Sequence, residues 1–190
     1  FCLIMNYKSI IYYLGLFCFP ISALAFVNIL YSAYFDYFLS IDSYFTTLLI
    51  SLLAGIGFLF IGKNSKKRIN FIEQLLLIIF VYLAVSFLIS LPFYLSNYQV
   101  TFINSLFEAI SGITGTGFSI FENIKYLDPT LILWRSSSQW IGGLYFIFFL
   151  ILIFSNKQFN FKMNDLTFSC DGSINSENNI KDLLLKIFFI

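Results

Sequence analysis

Four stretches of this chain stay apolar for the width of a lipid bilayer, which limits its fold more than any other feature. They lie near 9–35, 44–61, 69–95 and 129–155, and about 20 apolar residues suffice for a helix to cross the hydrocarbon. Four transmembrane helices are expected, with the lipid bilayer as the chain's first partner. Charge agrees with this: only 11% of the 190 residues are charged, less than half the roughly 25% of a soluble domain. A formal net charge of +1 provides no basic surface for nucleic acid. Histidine is absent, which removes the commonest acid/base and metal-binding side chain and points away from an enzyme or a metal cofactor. Cys2, Cys18 and Cys170 have no paired spacing, so they carry no disulfide or zinc signal and read as packing residues.

Lys8 precedes the first run, and Ala23-Leu24-Ala25 within it resembles the cleavage site of a secretion signal. Apolar sequence nevertheless continues to Tyr34, so an uncleaved span kinked at Pro20 is expected. Basic residues then set the orientation. The segment from Asp36 to Ser43 has two acids and no base, while the next loop carries Lys63, Lys66, Lys67 and Arg68 and belongs in the cytoplasm. The third span leaves on the outer side near Pro92, and the fourth returns to a tail holding Lys157, Lys162 and Lys181. Every assignment places the N-terminus inside. Tyr94 and Tyr98 suit an outer interfacial belt.

Residues 96–128 begin and end on the outer side. In "VTFINSLFEAISGI" the apolar residues Phe102, Ile103, Leu106, Phe107, Ile110 and Ile113 keep a helical period for only about three to four turns. Such a helix can dip into the membrane but must come back. Non-helical backbone at that depth is tolerated where protein or a water-filled cavity surrounds it, so "SGITGTGFS", residues 111–119, should line a cavity. A short helix descending from outside points the partial negative charge of its C-terminus toward the membrane middle, which favours a cation. A glycine-rich return strand can aim successive carbonyl oxygens at an axis and replace an ion's hydration shell, with Gly115 and Gly117 supplying the backbone freedom. The same residues also fit a helix C-cap and a turn into a surface loop. Composition and period leave both readings open.

"FEAISGITGTGFS" followed by "LWRSSSQWIGG" resembles the first membrane-pore-membrane repeat of the Trk/Ktr/HKT superfamily of potassium transporters, most like its bacterial TrkH-type subunit. Phe107, Glu108, Ser111, Gly112, Thr114, Thr116 and Gly117 match the family's pore helix and filter; Trp134, Arg135, Gln139, Trp140, Ile141, Gly142 and Gly143 match the helix that follows. The resemblance implies an all-α integral membrane fold of four transmembrane helices plus one re-entrant pore helix and filter loop. Thr114, Gly115, Thr116, Gly117 and Phe118 would form the K+ selectivity filter, and Glu108 and Arg135 would support the pore helix. It implies K+ uptake across the bacterial inner membrane, alone or coupled to H+ or Na+, with no other cofactor. A cytoplasmic nucleotide-binding regulatory subunit is an implied partner.

The same resemblance divides the chain into two leading helices (1–68), a membrane-pore-membrane repeat (69–155), a cytoplasmic linker (156–181) and the start of a further helix (182–190). The family arranges four repeats around one pore and this chain has one, so it is expected to be an N-terminal fragment whose partners are the missing downstream repeats. A homotetrameric single-repeat channel is a competing reading. So is a small helical membrane protein with an assembly role and a structural glycine turn. The sequence departs from the family pattern at Gly115, usually threonine, at Phe118, usually small, and in the "LYFIFF" after Gly143.

Glu108 lies seven residues beyond Thr101, and Arg135 six beyond Pro129. At 1.5 Å per residue both sit roughly 9–11 Å below the outer surface. Equal depth permits an ion pair where an unpaired charge is costly. The alternative is a Glu108 that accepts hydrogen bonds from the nearby loop while Arg135 reaches outward. Gly142 and Gly143 either let the last span approach another helix closely or are simply tolerated in it.

Overall fold

The computed structural model describes residues 7–37, 41–63, 69–122 and 127–154. Cys2, Lys66, Lys67, Arg68 and everything from 155 onward, including Cys170 and the three tail lysines, lie outside them. Among the described residues there are five helices and no strand: α1 (Tyr7–Tyr34), α2 (Ile41–Gly62), α3 (Phe71–Leu95), α4 (Phe102–Ile113) and α5 (Pro129–Phe154). All but α4 are long and apolar enough to cross a membrane, each within a few residues of its expected run. α4 has 12 residues and at about 18 Å falls short of the hydrocarbon's width. The protein is an all-α, multi-pass membrane protein.

Local chemistry starts the helices. The Thr101 hydroxyl accepts from the Asn104 amide at 3.4 Å and caps α4. Ahead of α3, Asn70 N–H donates to Glu73 Oε2 at 2.9 Å, the return half of a capping box. α5 opens on Pro129, whose missing N–H costs nothing in a first turn. Behind it the Asp128 carboxylate accepts from Thr130 N at 3.2 Å.

α1 and α2 meet backbone to backbone. A Cβ at Gly15 would lie 2.9 Å from Gly55 O, and one at Gly62 would lie 2.5 Å from Tyr12 Cβ, so glycine at these points lets the helices touch. Rising numbers on α1 face falling numbers on α2, which makes the pair antiparallel.

α1 and α3 run unbroken through Pro20 and Pro92. An interior proline withholds one helical hydrogen bond and crowds the turn before it, and α5 covers both disturbed turns. Tyr145 donates its hydroxyl to Phe17 O at 2.7 Å, and Trp134 donates Nε1–H to Ile89 O at 3.0 Å. Each acceptor lies three residues before its proline. The carbonyls that the prolines leave without a helical donor are four residues back, at Leu16 and Leu88, so these bonds brace the turn beside the missing one. Phe17 also packs edge-on against Tyr145, with ring centroids 5.1 Å apart. α5 is therefore the spine on which α1 and α3 lean.

Candidate functional site

α4 is apolar on its outward side. Ser105, Glu108, Ala109, Ser111, Gly112 and Ile113 are buried, whereas Phe107, Ile110 and Ile103, the last 78% exposed, face away from the chain, and Phe102 sets its ring beside Phe87 and Tyr94 of α3. Hydrocarbon accepts apolar side chains, so in a membrane the polar face of a helix is the one that seeks protein. Two glycines shape the seat. A Cβ on Gly112 would strike the Ser138 hydroxyl, and one on Gly142 would strike the Ile113 carbonyl group. Gly143 has open space where its Cβ would be. Of the two adjacent glycines, one is a close-approach residue and the other is not.

Glu108 is fully buried and Arg135 is 9% exposed. Arg135 Nε donates to Glu108 Oε1, an ion pair between α4 and α5. Arg135 Nη2 goes on to the returning loop, donating to Gly117 O at 2.9 Å and Phe118 O at 3.1 Å. The planar guanidinium fork suits such divided work better than a lysine's point charge. Glu108 also serves the loop. Ser119 Oγ lies 3.1 and 3.2 Å from its two carboxylate oxygens, and Ile120 N donates to Oε2 at 3.1 Å. The Glu108 carboxylate therefore pairs with Arg135 and accepts from the loop as well, while Arg135 turns to the loop and not outward.

Residues 114–118 are exposed along most of their length, Phe118 by 70%. The sign of φ alternates along them: −82° at Thr114, +71° at Gly115, negative at Thr116 and +77° at Gly117. Positive φ is open to glycine and strained for most other residues. Nothing crowds a Cβ at either glycine, so the backbone angle alone calls for glycine there. Several bonds fasten the loop to α4: Thr114 Oγ1 donates to Ile110 O at 2.6 Å, Gly115 N to Gly112 O at 3.0 Å and Gly117 N to Ser111 O at 3.4 Å. The carbonyls fall into two groups. Those of Gly117 and Phe118 accept from Arg135. Among the described residues, no hydrogen bond reaches those of Thr114, Gly115 and Thr116. Three adjacent exposed carbonyls at the partially negative end of a helix can ligate a dehydrated cation. A cluster of His, Cys, Asp and Glu able to hold a metal is absent among the described residues.

Sequence reasoning placed Thr114, Gly115, Thr116, Gly117, Phe118, Glu108 and Arg135 in one region, and the structure brings all seven together. It passed over Ser119, which carries the Glu108 contact, and gave Ser111 no task of its own. The available signal was a pair of hydroxyls flanking the glycines, each close enough to close a loop.

A half-length helix and a glycine loop, fastened by a buried ion pair between two helices, define a multi-pass membrane protein with a segment inserted between its spans. Residues 40–162 match the family model of the TrkH cation transport proteins, and the chain belongs to that family. The family is one of transporters and not of enzymes. The chain is 40% identical over 63 residues to the Trk system potassium uptake protein TrkI of Halomonas elongata, which covers 33% of this chain and 13% of that protein. It is 29% identical over 106 residues to TrkG, a Trk system potassium uptake protein of Escherichia coli, covering 55% of this chain and 22% of the relative. An uncharacterized cation transporter of Methanocaldococcus jannaschii is 29% identical over 87 residues, 46% of this chain and 18% of that one. The aligned stretches thus span less than a quarter of each relative.

Proposed function

We propose that this chain takes part in K+ uptake across a bacterial inner membrane, with α4 as a pore helix descending from the outer face and residues 114–118 as one of four filter segments. Its N-terminus is cytoplasmic, further repeats of the same kind complete the ring, and a cytoplasmic nucleotide-binding subunit regulates it. The family match and the potassium uptake proteins among the relatives support the cation. One observation carries the filter: the carbonyls of Thr114, Gly115 and Thr116 accept no hydrogen bond among the described residues, on an exposed backbone whose φ changes sign at each residue. Successive carbonyls of a strand point to opposite sides. Reversing φ at every second residue turns them toward one side, as an ion path requires.

Gly117→Ser in the full-length gene product tests this. Serine strains the left-handed backbone at 117 and rotates the peptide beside Thr116. Rb+ uptake should fall relative to Na+ uptake, each normalised to protein in the membrane, before abundance changes. An unchanged ratio at normal abundance rejects the filter.

A further inference from the structure

Most serines in these helices return their proton to their own helix three or four residues back, as Ser90, Ser105 and Ser137 do to Phe87 O, Phe102 O and Leu133 O. That is the common habit of a helical serine. Ser111, in the last turn of α4 and 4% exposed, sends its proton forward, donating to Phe118 O at 2.6 Å. Its oxygen lies 3.2 Å from Thr116 Oγ1, and its carbonyl accepts from Thr116 Oγ1 at 3.3 Å and from Gly117 N at 3.4 Å.

Each hydroxyl owns one proton, which fixes the directions. Thr114 donates to Ile110 O, so in its 3.3 Å contact with Thr116 it accepts. Thr116 likewise has a single proton to place, among Thr114 Oγ1, Ser111 Oγ and Ser111 O, and Ser111 is the donor to Phe118 O. That carbonyl also accepts from Arg135. Its two lone pairs are held from two helices, one by α4 through Ser111 and the other by α5.

We infer that Ser111 is a positioning residue for ion discrimination: it locks the Thr116 side chain and the Phe118 carbonyl to α4 and so fixes the spacing of the three carbonyls of residues 114–116. The inference rests on the reading of 114–118 as a filter. Without the lock the loop closes more easily on a smaller ion, so discrimination against Na+ is what Ser111 supplies.

The test uses the full-length gene product in a potassium-uptake-deficient bacterium, with Rb+ and Na+ uptake measured per unit of protein in the membrane. Ser111→Ala should lower the Rb+/Na+ ratio roughly fivefold, the scale of one lost hydrogen bond. Ser111→Cys keeps the shape with a weaker donor and should fall between Ala and the native residue. Thr116→Val added to Ser111→Ala should lower the ratio little further, because the two side chains belong to one network. An unchanged ratio in Ser111→Ala, or Rb+ and Na+ uptake falling in proportion, overturns the inference. Gly117→Ser measured alongside separates the two failures. If it shifts the ratio and Ser111→Ala does not, only the role of Ser111 is wrong; if neither does, the filter reading fails and takes this inference with it.

Discussion

The α1–α2 hairpin and the α4–α5 seat both begin with glycine, yet they hold together differently. Gly15, Gly55 and Gly62 bring two backbones into contact, while Thr47 and Ser51 beside them bond back to Ser43 O and Leu48 O of their own helix. At the other pair, Gly112 and Gly142 also let the helices approach closely, and Arg135 then reaches across to Glu108 and to the loop. Close packing of small residues supplies adhesion in lipid. Charge-assisted hydrogen bonds add a fixed direction. The first pair needs only to adhere, whereas the second must also hold a loop at a set angle.

The largest test removes that direction. Glu108→Ala leaves the Arg135 charge buried without its partner and should cost about 3–5 kcal/mol, read as lost membrane abundance and a lower unfolding temperature in detergent. The Glu108→Arg/Arg135→Glu swap should recover part of this and not all, since the loop carbonyls that accept from Arg135 would then face a carboxylate. Independent, additive effects at the two positions would erase the contrast between the pairs.

Smaller substitutions sharpen it. Gly142→Val and Gly15→Val should each cost about 1–3 kcal/mol by overpacking, measured in the same unfolding experiment. Only Gly142→Val should also lower the Rb+/Na+ ratio, because it pushes the end of α4 and thus the loop. A ratio change of equal size from Gly15→Val would mean the hairpin positions the loop too. Smallest of all is Gly57→Ala, with open space at its Cβ, expected within about 0.5 kcal/mol of the native protein.

Bilayer thickness made the four spans legible, because it demands an apolar run of one length and little else can produce it. Counting residues from the helix starts placed Glu108 and Arg135 at one depth, which permitted an ion pair without deciding it against the alternative. The facing of α4 was not legible. Periodicity separates Ile103 from Ser105 only as two sides of a helix, and which side meets protein depends on the surrounding medium. Gly142 and Gly143 are the same residue type, but a rotation of about 100° separates them on the helix, so one touches α4 and the other does not. The forward bond of Ser111 depends on a loop folding back over seven residues, a distance that helical periodicity does not address.

Tyr145 lies 128 residues downstream of Phe17, whose carbonyl it serves, and Trp134 lies 45 downstream of Ile89. At a synthesis rate of about 5–20 residues per second, Phe17 O waits on the order of ten seconds for the Tyr145 hydroxyl. α1 gains its bond from Tyr145 only after α5 has emerged, so on the ribosome's schedule the packing of α5 follows that of α1, α2 and α3.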